Sequence, residues 1–537
     1  NCAPLSRRAR TLVANPAAQP WPAPSFRGKP FWPTFYKLYG GADEPKTPDG
    51  RWGLEDLAMV KERATHYEPR YKPGLAKYGF EKGSVSGRAA PVPAANRFKG
   101  DTYRLWDIMG PGFAELVYGE FRRDAPLHEA LKGAPLLLRS GDSRPAYFID
   151  EDARADGADF AAWREKHPEF VGFTVMEEID SDSGNLYRMY TGVDKTRPFA
   201  NEEMKRDLLS RYPLPKNRRE TFANLERMWK VSKAHCFDAP LWGLYCNNNS
   251  LSHIFAELGA AGLENENSAS QSAPWAWSGA YTRGASRQYG IPFMWYTANF
   301  SGTRNFRRGG IPCRGGDNMW PRDGQHTAKR PSWIGASRSL MQRQQAYGWL
   351  IGAGLIQPEG FTMWCSSATN GVACPSPFAA DFNEVFEWSK KIDRGAPYTP
   401  VAMLAPLMEC VGRGGYVQSE TDKLNLPAWY FTLVPVKDRD RVAYPLCHGH
   451  RSRGDEGCLF NSPFGEIWDV LVPDAPRGKA KLSAALAHYP AAFLIGTYEK
   501  DELDVAALER YVKDGGTLFV SADYVDSGLV PAALSGV

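Results

Sequence analysis

Short apolar segments alternate with amphipathic segments along most of the chain. The segment PLLLRS at 135–140 has the length and composition of a buried strand. The stretch SLSHIFAELGA places Leu251, Ile254, Phe255 and Leu258 on one face, at the spacing of a packed helix. Strands that alternate with helices in this way predict βα units and a mainly parallel sheet.

Eight segments before residue 362 have the pattern of a strand. They lie at 31–40, 104–110, 135–140, 170–178, 241–247, 262–267, 292–300 and 355–361. Eight βα units with insertions predict a (β/α)8 barrel, the TIM barrel. We therefore assign residues 31–395 to a barrel, and residues 1–30, which are rich in Pro, Ala and Arg, to an extended N-terminal arm.

A second unit begins near TPVAMLAPL at 399–407. The apolar segments WDVLVP, AAFLIGTY and TLFVSADYV follow, and an amphipathic segment separates each from the next. This βαβαβ pattern is typical of a doubly wound α/β domain. The sequence therefore predicts an α/β protein in which the TIM barrel is followed by a doubly wound domain over residues 396–537.

Composition narrows the class of protein. The net charge is only +4 over 537 residues, which is too weak a bias to predict nucleic-acid binding. No stretch of about 18 apolar residues occurs, so the sequence predicts no membrane span. The 17 Trp, 51 Gly and 41 Pro are typical of long, shaped loops on a rigid scaffold. Such loops suit the flat apolar faces of sugars, although large cores use Trp too.

The cysteines and the first residue bear on the compartment. Three of the cysteine pairs are close in sequence, among them Cys236 with Cys246, and such pairs can form disulfides in an oxidising compartment. No CxxC spacing occurs, so the sequence predicts no structural metal. The sequence also predicts no cofactor. The chain begins at Asn1 rather than Met, which fits removal of an export signal or of a tag. We therefore expect a secreted or periplasmic protein.

Glutamates stand at the ends of three predicted strands. Strand 4 ends in Glu177 and Glu178, strand 6 carries Glu264 and Glu266, and strand 8 contains Glu359 near its end. The carboxyl ends of barrel strands form the catalytic face, and alternate strands contribute to one layer of side chains. Strands 4, 6 and 8 are alternate strands, so these acids can converge across one barrel mouth.

Converging carboxylates suit the hydrolysis of a glycosidic bond. One protonated carboxyl group serves the leaving oxygen, and one ionised carboxylate acts as nucleophile or activates water. Successive strand residues face opposite ways, so one of Glu177 and Glu178 points into the mouth, and we prefer Glu177. Glu264 and Glu266 share a face. Glu266 is nearer the rim and is the catalytic candidate, and Glu264 is assigned to substrate binding.

Other uses of these acids are open. An isolated Glu at a strand end is often solvated or paired with Arg. A hard cation could take oxygen ligands from Asp180, Asp182 and Asn185, although DSDSGN lacks the bidentate Glu of a calcium loop. Three hypotheses therefore stand: a glycoside hydrolase, a metal-dependent barrel hydrolase, and a catalytically inactive carbohydrate-binding or assembly protein on a barrel scaffold.

Aromatic, amide and cationic residues near the predicted mouth are candidates for binding the sugar. The long Gly- and Arg-rich insertion after strand 7 contains Arg304, which can clamp an anionic group or pair with a neighbouring Asp. Trp295 can stack on a sugar ring, with core packing as the alternative. The predicted substrate-binding residues are Asn247, Glu264, Trp295, Asn299, Arg304, Trp320 and Trp364.

The strand-4 Glu, the TPVAMLAPL strand and the doubly wound domain together resemble the family-42-type β-galactosidases, which belong to clan A of the glycoside hydrolases. The resemblance implies a β-galactosidase-like hydrolase that acts on an oligo- or polysaccharide. It also implies that the second domain, similar to a glutamine amidotransferase fold, builds a homotrimer. By this resemblance, Glu177 is similar to the proton donor of the clan.

Two positions depart from the pattern of the clan. Met176 precedes Glu177, where the clan has Asn. The clan carries its nucleophile on strand 7, but PFMWYTANF contains no acid. The nucleophile cannot be carried over, so Glu266 and Glu359 are both candidates for the second carboxylate.

Overall fold

The structure, a computed structural model, describes the secondary-structure core of the chain. The described residues are 34–36, 113–117, 136–139, 157–168, 170–174, 202–246, 251–268, 275–298, 338–358, 365–369, 372–375, 384–385, 388–389, 391–392, 394–407, 467–473, 482–496, 498 and 500–535. Within these ranges the chain forms an eight-stranded sheet, a two-stranded hairpin and a four-stranded sheet.

The eight-stranded sheet is parallel throughout, and its strands follow one another in chain order. The strands are β1 (Thr34–Tyr36), β2 (Phe113–Val117), β3 (Leu136–Arg139), β4 (Phe170–Thr174), β5 (Leu241–Cys246), β6 (Gly262–Ser268), β7 (Phe293–Ala298) and β8 (Leu355–Pro358). β1 is also in contact with β8, so the sheet curls into a barrel. The predicted α/β barrel is confirmed.

The second strand lies later in the chain than the sequence predicted. β2 has the sequence FAELV and pairs with β1 and β3, whereas the predicted strand at 104–110 lies outside the described residues. Both segments are short and apolar with one acid, so periodicity alone does not distinguish them. Pairing with strands that are distant in sequence decides between them.

Helices cover the outside of the barrel. Those in its described part are α1 (Gly157–Lys166), α2 (Glu202–Arg211), α3 (Arg218–His235), α4 (Leu251–Glu257), α5 (Trp275–Tyr289) and α6 (Arg338–Leu350). Asn217 caps α3, since its side chain accepts a hydrogen bond from the Glu220 amide at 2.9 Å. α5 packs against β6 and β7, and α6 packs against β7 and β8. These two helices support the strands that carry the candidate site.

The interior of the barrel has an apolar floor. Leu137, Trp242, Met294 and Leu355 come from different strands and pack together, each with at most 1% of its surface exposed. A Cβ atom at Gly262 would lie 2.5 Å from the Trp242 ring, so glycine at this point of β6 makes room for the indole. Because these residues stand near the amino ends of their strands, the floor lies beneath the carboxyl ends of β6 and β7.

The four-stranded sheet is also parallel, in the order β12-β11-β13-β14. Its strands are β11 (Val401–Leu404), β12 (Trp468–Leu471), β13 (Ala491–Leu494) and β14 (Thr517–Phe519), while β9 (Cys365–Thr369) and β10 (Val372–Pro375) form the hairpin. Helices α7 (Leu482–Leu486) and α8 (Val505–Lys513) pack on this sheet, and α9 (Ala522–Asp526) and α10 (Ala532–Ser535) follow. Its core includes Leu404, Leu486, Leu494, Leu508 and Tyr511.

The barrel and the four-stranded sheet meet where α5 lies against β12. A Cβ atom at Gly284 would lie 1.9 Å from the carbonyl oxygen of Val470, so glycine allows the backbone of the helix to touch the strand. β12 is an edge strand of its sheet. The helix that supports β6 is therefore also in contact with the second sheet.

Candidate functional site

The side chains of β6 alternate between the helix layer and the interior of the barrel. Asn265 donates hydrogen bonds from Nδ2 to Ser278 Oγ at 2.8 Å and to Thr282 Oγ1 at 2.6 Å, both on α5. Asn265 therefore points outward to the helix. Its two neighbours on the strand, Glu264 and Glu266, face the interior.

The pairing of β6 with β7 gives the same orientation. Residues paired in a parallel ladder share a face of the sheet, and Glu264 pairs with Met294, which belongs to the apolar floor. Glu266 pairs with Tyr296 in the same register. The inner face at this point therefore carries two acids, a methionine and a tyrosine.

Both acids are buried at successive levels of the barrel. Glu264 is 1% exposed and Glu266 is 4% exposed. Two residues of strand rise about 6.6 Å, so Glu266 stands that much nearer the carboxyl end of β6. Burial of a carboxyl group is costly unless polar groups compensate it. Buried carboxyl groups are therefore concentrated at functional sites. This position above an apolar floor makes the pair the candidate functional site.

The site also contains residues that the sequence interpretation did not single out. Tyr296 is 1% exposed and stands beside Glu266 on the inner face. Thr174, also 1% exposed, pairs with Trp242 of the floor, so it lies on the inner face of β4. Side chains alternate in direction along a strand, so the predicted strand PFMWYTANF already placed Tyr296 on the same face as Met294.

Trp295 faces the opposite way from these residues. Its ring is fully buried and lies edge-on to Tyr347 of α6, with ring centroids 5.3 Å apart. A Cβ atom at Gly348 would lie 2.6 Å from the same ring, so the helix needs glycine where the indole packs. Trp295 thus has the core-packing role that was the alternative, and it lies outside the candidate site.

The remaining predicted site residues lie outside the described residues, and their roles stay predictions. They are Glu177, Glu178, Asn247, Asn299, Arg304, Trp320, Glu359 and Trp364. The same is true of Asp180, Asp182 and Asn185 in the proposed cation loop. Among the described residues, no group of three or more His, Cys, Asp or Glu side chains could hold a metal ion. No helix in those ranges is long and apolar enough to cross a membrane.

The disulfide that the sequence left possible between Cys236 and Cys246 is not formed. Cys236 is a buried thiol at the C-cap of α3. It precedes β5, whereas Cys246 ends that strand. A strand of this length spans about 17 Å, and a disulfide needs Cα atoms within about 7 Å.

Comparison with known proteins gives only distant likenesses. No family model matches the sequence, and no curated protein matches it. A β-galactosidase from Bacillus circulans sp. alkalophilus superposes with a TM-score of 0.40 at 11% identity, over 78% of this chain and 68% of that chain. A β-galactosidase from the haloarchaeon Halorubrum lacusprofundi superposes with a TM-score of 0.39 at 11% identity, over 78% and 70%.

An exo-β-1,4-mannosidase from Opitutaceae bacterium strain TAV5 superposes more extensively, over 94% of this chain and 79% of that chain. Its TM-score is 0.42 and its identity 8%. Likenesses this loose carry no argument about activity. The barrel is established by the order and pairing of its own strands.

Proposed function

We propose that the chain is a glycoside hydrolase that cleaves a β-linked galactoside or a related glycan. The observation that carries the proposal is the pair Glu264 and Glu266, two buried acids on the inner face of a parallel barrel. In barrels of this type the reaction takes place at the carboxyl ends of the strands. Carboxyl groups at that end supply the proton transfers and the nucleophile that glycoside hydrolysis needs.

Glu266 is the proposed catalytic residue of β6, because it stands nearer the carboxyl end of the strand. As a carboxylate it attacks the anomeric carbon or takes a proton from the attacking water. A second carboxyl group protonates the leaving oxygen, and the candidates for it are Glu177 and Glu178. Glu359 is the other candidate for the role given to Glu266. Glu264 lies one level deeper, where it can accept a hydrogen bond from a sugar hydroxyl that reaches into the barrel.

Turnover of a panel of aryl β-glycosides tests this proposal, with galactoside, glucoside and mannoside as probes. The Glu266→Gln variant should lower kcat/KM by about 10²- to 10⁴-fold, the range for loss of an acid–base group. One of Glu177→Gln and Glu178→Gln should have a similar effect, because adjacent strand residues face opposite ways. Glu359→Gln tests the other candidate.

The matched control is another buried glutamate of the same barrel. Glu257 on α4 is 5% exposed and accepts a hydrogen bond from the Tyr289 hydroxyl at 2.8 Å, outside the barrel interior. Glu257→Gln should therefore keep the activity of the wild type. Absence of turnover on every probe would contradict the proposal. Activity abolished by a chelator would instead favour the metal-dependent hydrolase.

Two wider expectations accompany the proposed function. The spacing of the cysteines favours export, and the resemblance to the β-galactosidases implies a homotrimer. Light scattering on the purified full chain tests the trimer, since a mass of one 59.7 kDa chain would contradict it.

A further inference from the structure

Helix α5 lies between the candidate site and the second sheet. We propose that the second sheet positions the acids of β6 through this helix, with Asn265, Thr282 and the residues around Asp469 as positioning residues. The inference rests on the proposed function for its kinetic consequences. The contacts that carry it are separate from the barrel interior.

The first link joins β6 to α5. Asn265 is fully buried and stands between Glu264 and Glu266 on the strand. Its Nδ2 donates to the hydroxyl groups of Ser278 and Thr282, which are four residues apart and so share one face of the helix. These hydrogen bonds fix the height and rotation of β6 relative to α5. The two acids on the other face take their positions from the same backbone.

The second link joins another face of α5 to the side chain of Asp469 on β12. Arg283 Nε donates to Asp469 Oδ1 at 2.6 Å, and Arg287 Nη1 donates to Asp469 Oδ2 at 2.5 Å. The Tyr489 hydroxyl donates to the same Oδ2 at 2.7 Å. Burial by itself would raise the pKa of Asp469, but the charges of Arg283 and Arg287 hold it below its ordinary value. The group is therefore a carboxylate held by two guanidinium groups.

The third link consists of hydrogen bonds to the backbone of β12. This strand lies at the edge of its sheet, so the N–H and C=O groups on its open side have no neighbouring strand to pair with. Side chains of α4 and α5 take the place of a neighbouring strand. The contacts are Arg283 Nη2 to Trp468 O at 2.9 Å, His253 Nε2 to Val470 O at 3.0 Å, Gln288 Nε2 to Val472 O at 2.8 Å, and Val472 N to Gln288 Oε1 at 3.0 Å. Helix and strand are joined by directional bonds that a sliding motion would break.

Close backbone contact leaves the helix little room to move. Gly284 touches the Val470 carbonyl with no space for a Cβ atom. A shift of α5 along β12 would break the ion pairs of Asp469 with both arginines. It would also break the hydrogen bonds between Gln288 and the backbone of Val472. The same shift would pull on Asn265 through Ser278 and Thr282. The strand that bears the candidate acids is thus tied to the second sheet by one helix.

A matched pair of variants at Thr282 tests the link to β6. Thr282→Val keeps the shape of the side chain but removes the oxygen that accepts from Asn265, whereas Thr282→Ser keeps that oxygen. We expect Thr282→Val to lower kcat by about tenfold to about a hundredfold, the scale for a small misplacement of catalytic groups, with KM little changed. Thr282→Ser should retain activity close to that of the wild type. Equal kcat values for the two variants would overturn the inference.

A control variant breaks a different contact between the barrel and the second unit. Arg219 on α3 forms an exposed ion pair with Asp501, with Arg219 Nη2 2.8 Å from Asp501 Oδ1. Asp501→Asn removes this pair without touching α5. Asp501→Asn should leave kcat unchanged. If it lowered kcat as much as Thr282→Val does, weakening any contact between the barrel and the second sheet would have the same effect. That result would overturn the proposal that the coupling runs through α5.

Hydrogen exchange of the full chain tests the coupling without any activity. In Asp469→Asn and in Gln288→Met, amides of both α5 and β6 should exchange faster than in the wild type, because the anchor of the helix is weakened. Gln288→Met keeps the length of the side chain and all charges, so it covers the case in which Asp469→Asn does not fold. Faster exchange in β12 and α5 with unchanged exchange in β6 would overturn the inference, whether or not the chain is a hydrolase.

Discussion

Two regions of the molecule bury acidic side chains, and the arrangement of the acids differs between them. At the junction of α5 and β12, the carboxylate of Asp469 meets two guanidinium groups. Inside the barrel, Glu264 and Glu266 are two acids on the same face of one strand. A buried carboxylate that is paired with opposite charges has a structural role. Two carboxyl groups on one face of a strand shift each other's ionisation, and such pairs are concentrated at sites of acid–base chemistry.

The largest expected effect is the loss of catalytic activity when Glu266, inside the barrel, is replaced. Glu266→Gln should lower kcat/KM by about 10²- to 10⁴-fold, while the free energy of unfolding stays the same or rises, because one of two neighbouring acids becomes neutral. Kinetics and urea unfolding on the same preparation measure both quantities. A large loss of stability in this variant would show that Glu266 is a structural residue and would remove the contrast with Asp469.

The next effect is on stability. Asp469→Asn removes the counter-charge of two buried arginines and should lower the free energy of unfolding by about 3–5 kcal/mol, the cost of leaving a buried charge uncompensated. Urea unfolding measures it. Asp501→Asn serves as the exposed comparison and should cost about 0–1 kcal/mol. Equal costs at the two sites would contradict the structural role given to the Asp469 cluster.

The pH dependence of stability probes the same junction through His253. Burial lowers the pKa of His253 to about 4, although the Val470 carbonyl and the charge of Asp469 act to raise it. The rings of Tyr281 and Tyr289 stand edge-on to it. The ordinary pKa is 6.5, so the unfolded chain takes up this proton at a higher pH than the folded chain does.

The sign of the effect follows from that difference. The stability due to neutral His253 is complete above about pH 6.5 and is lost as the pH falls toward about 4, by up to about 3 kcal/mol. Urea unfolding at several pH values measures the loss. His253→Gln cannot titrate, so its stability should fall less over the same interval. A wild type and variant with parallel pH profiles would contradict the assignment.

The smallest expected effect lies beside the candidate site. Tyr296→Phe removes one hydroxyl group from the inner face next to Glu266 and should lower kcat by about tenfold or less, the scale of one hydrogen bond. Trp295→Phe is the comparison on the outer face of the same strand, and it should lower stability rather than kcat. If only Trp295→Phe lowered the activity, Trp295 rather than Tyr296 would face the barrel interior, which would contradict the orientation given to β7.

The sequence predicted the barrel well because apolar periodicity is a local signal. It placed strand 6 at GLENEN and put Glu264 and Glu266 on one face, which the contacts of Asn265 bear out. It missed β2, where two short apolar segments compete for one position and only pairing with β1 and β3 decides. Periodicity describes a segment and does not identify its neighbours in the sheet.

The junction of α5 and β12 was not predictable for the same reason. Arg283 and Arg287 stand in an ordinary amphipathic helix, and Asp469 is one acid in the apolar segment WDVLVP. Nothing local marks them as partners, because they are more than 180 positions apart. Only the packing of the second sheet against the barrel brings the three charges together.

The most direct measurement compares Glu266→Gln with Asp469→Asn for both kcat/KM on an aryl β-galactoside and free energy of unfolding. We expect a crossed result: Glu266→Gln loses activity and keeps its stability, whereas Asp469→Asn loses stability and, where folded, retains part of its kcat. A Glu266→Gln variant that is fully active, or one destabilised as strongly as Asp469→Asn, would contradict the central claim that the acids of β6 are kept for catalysis.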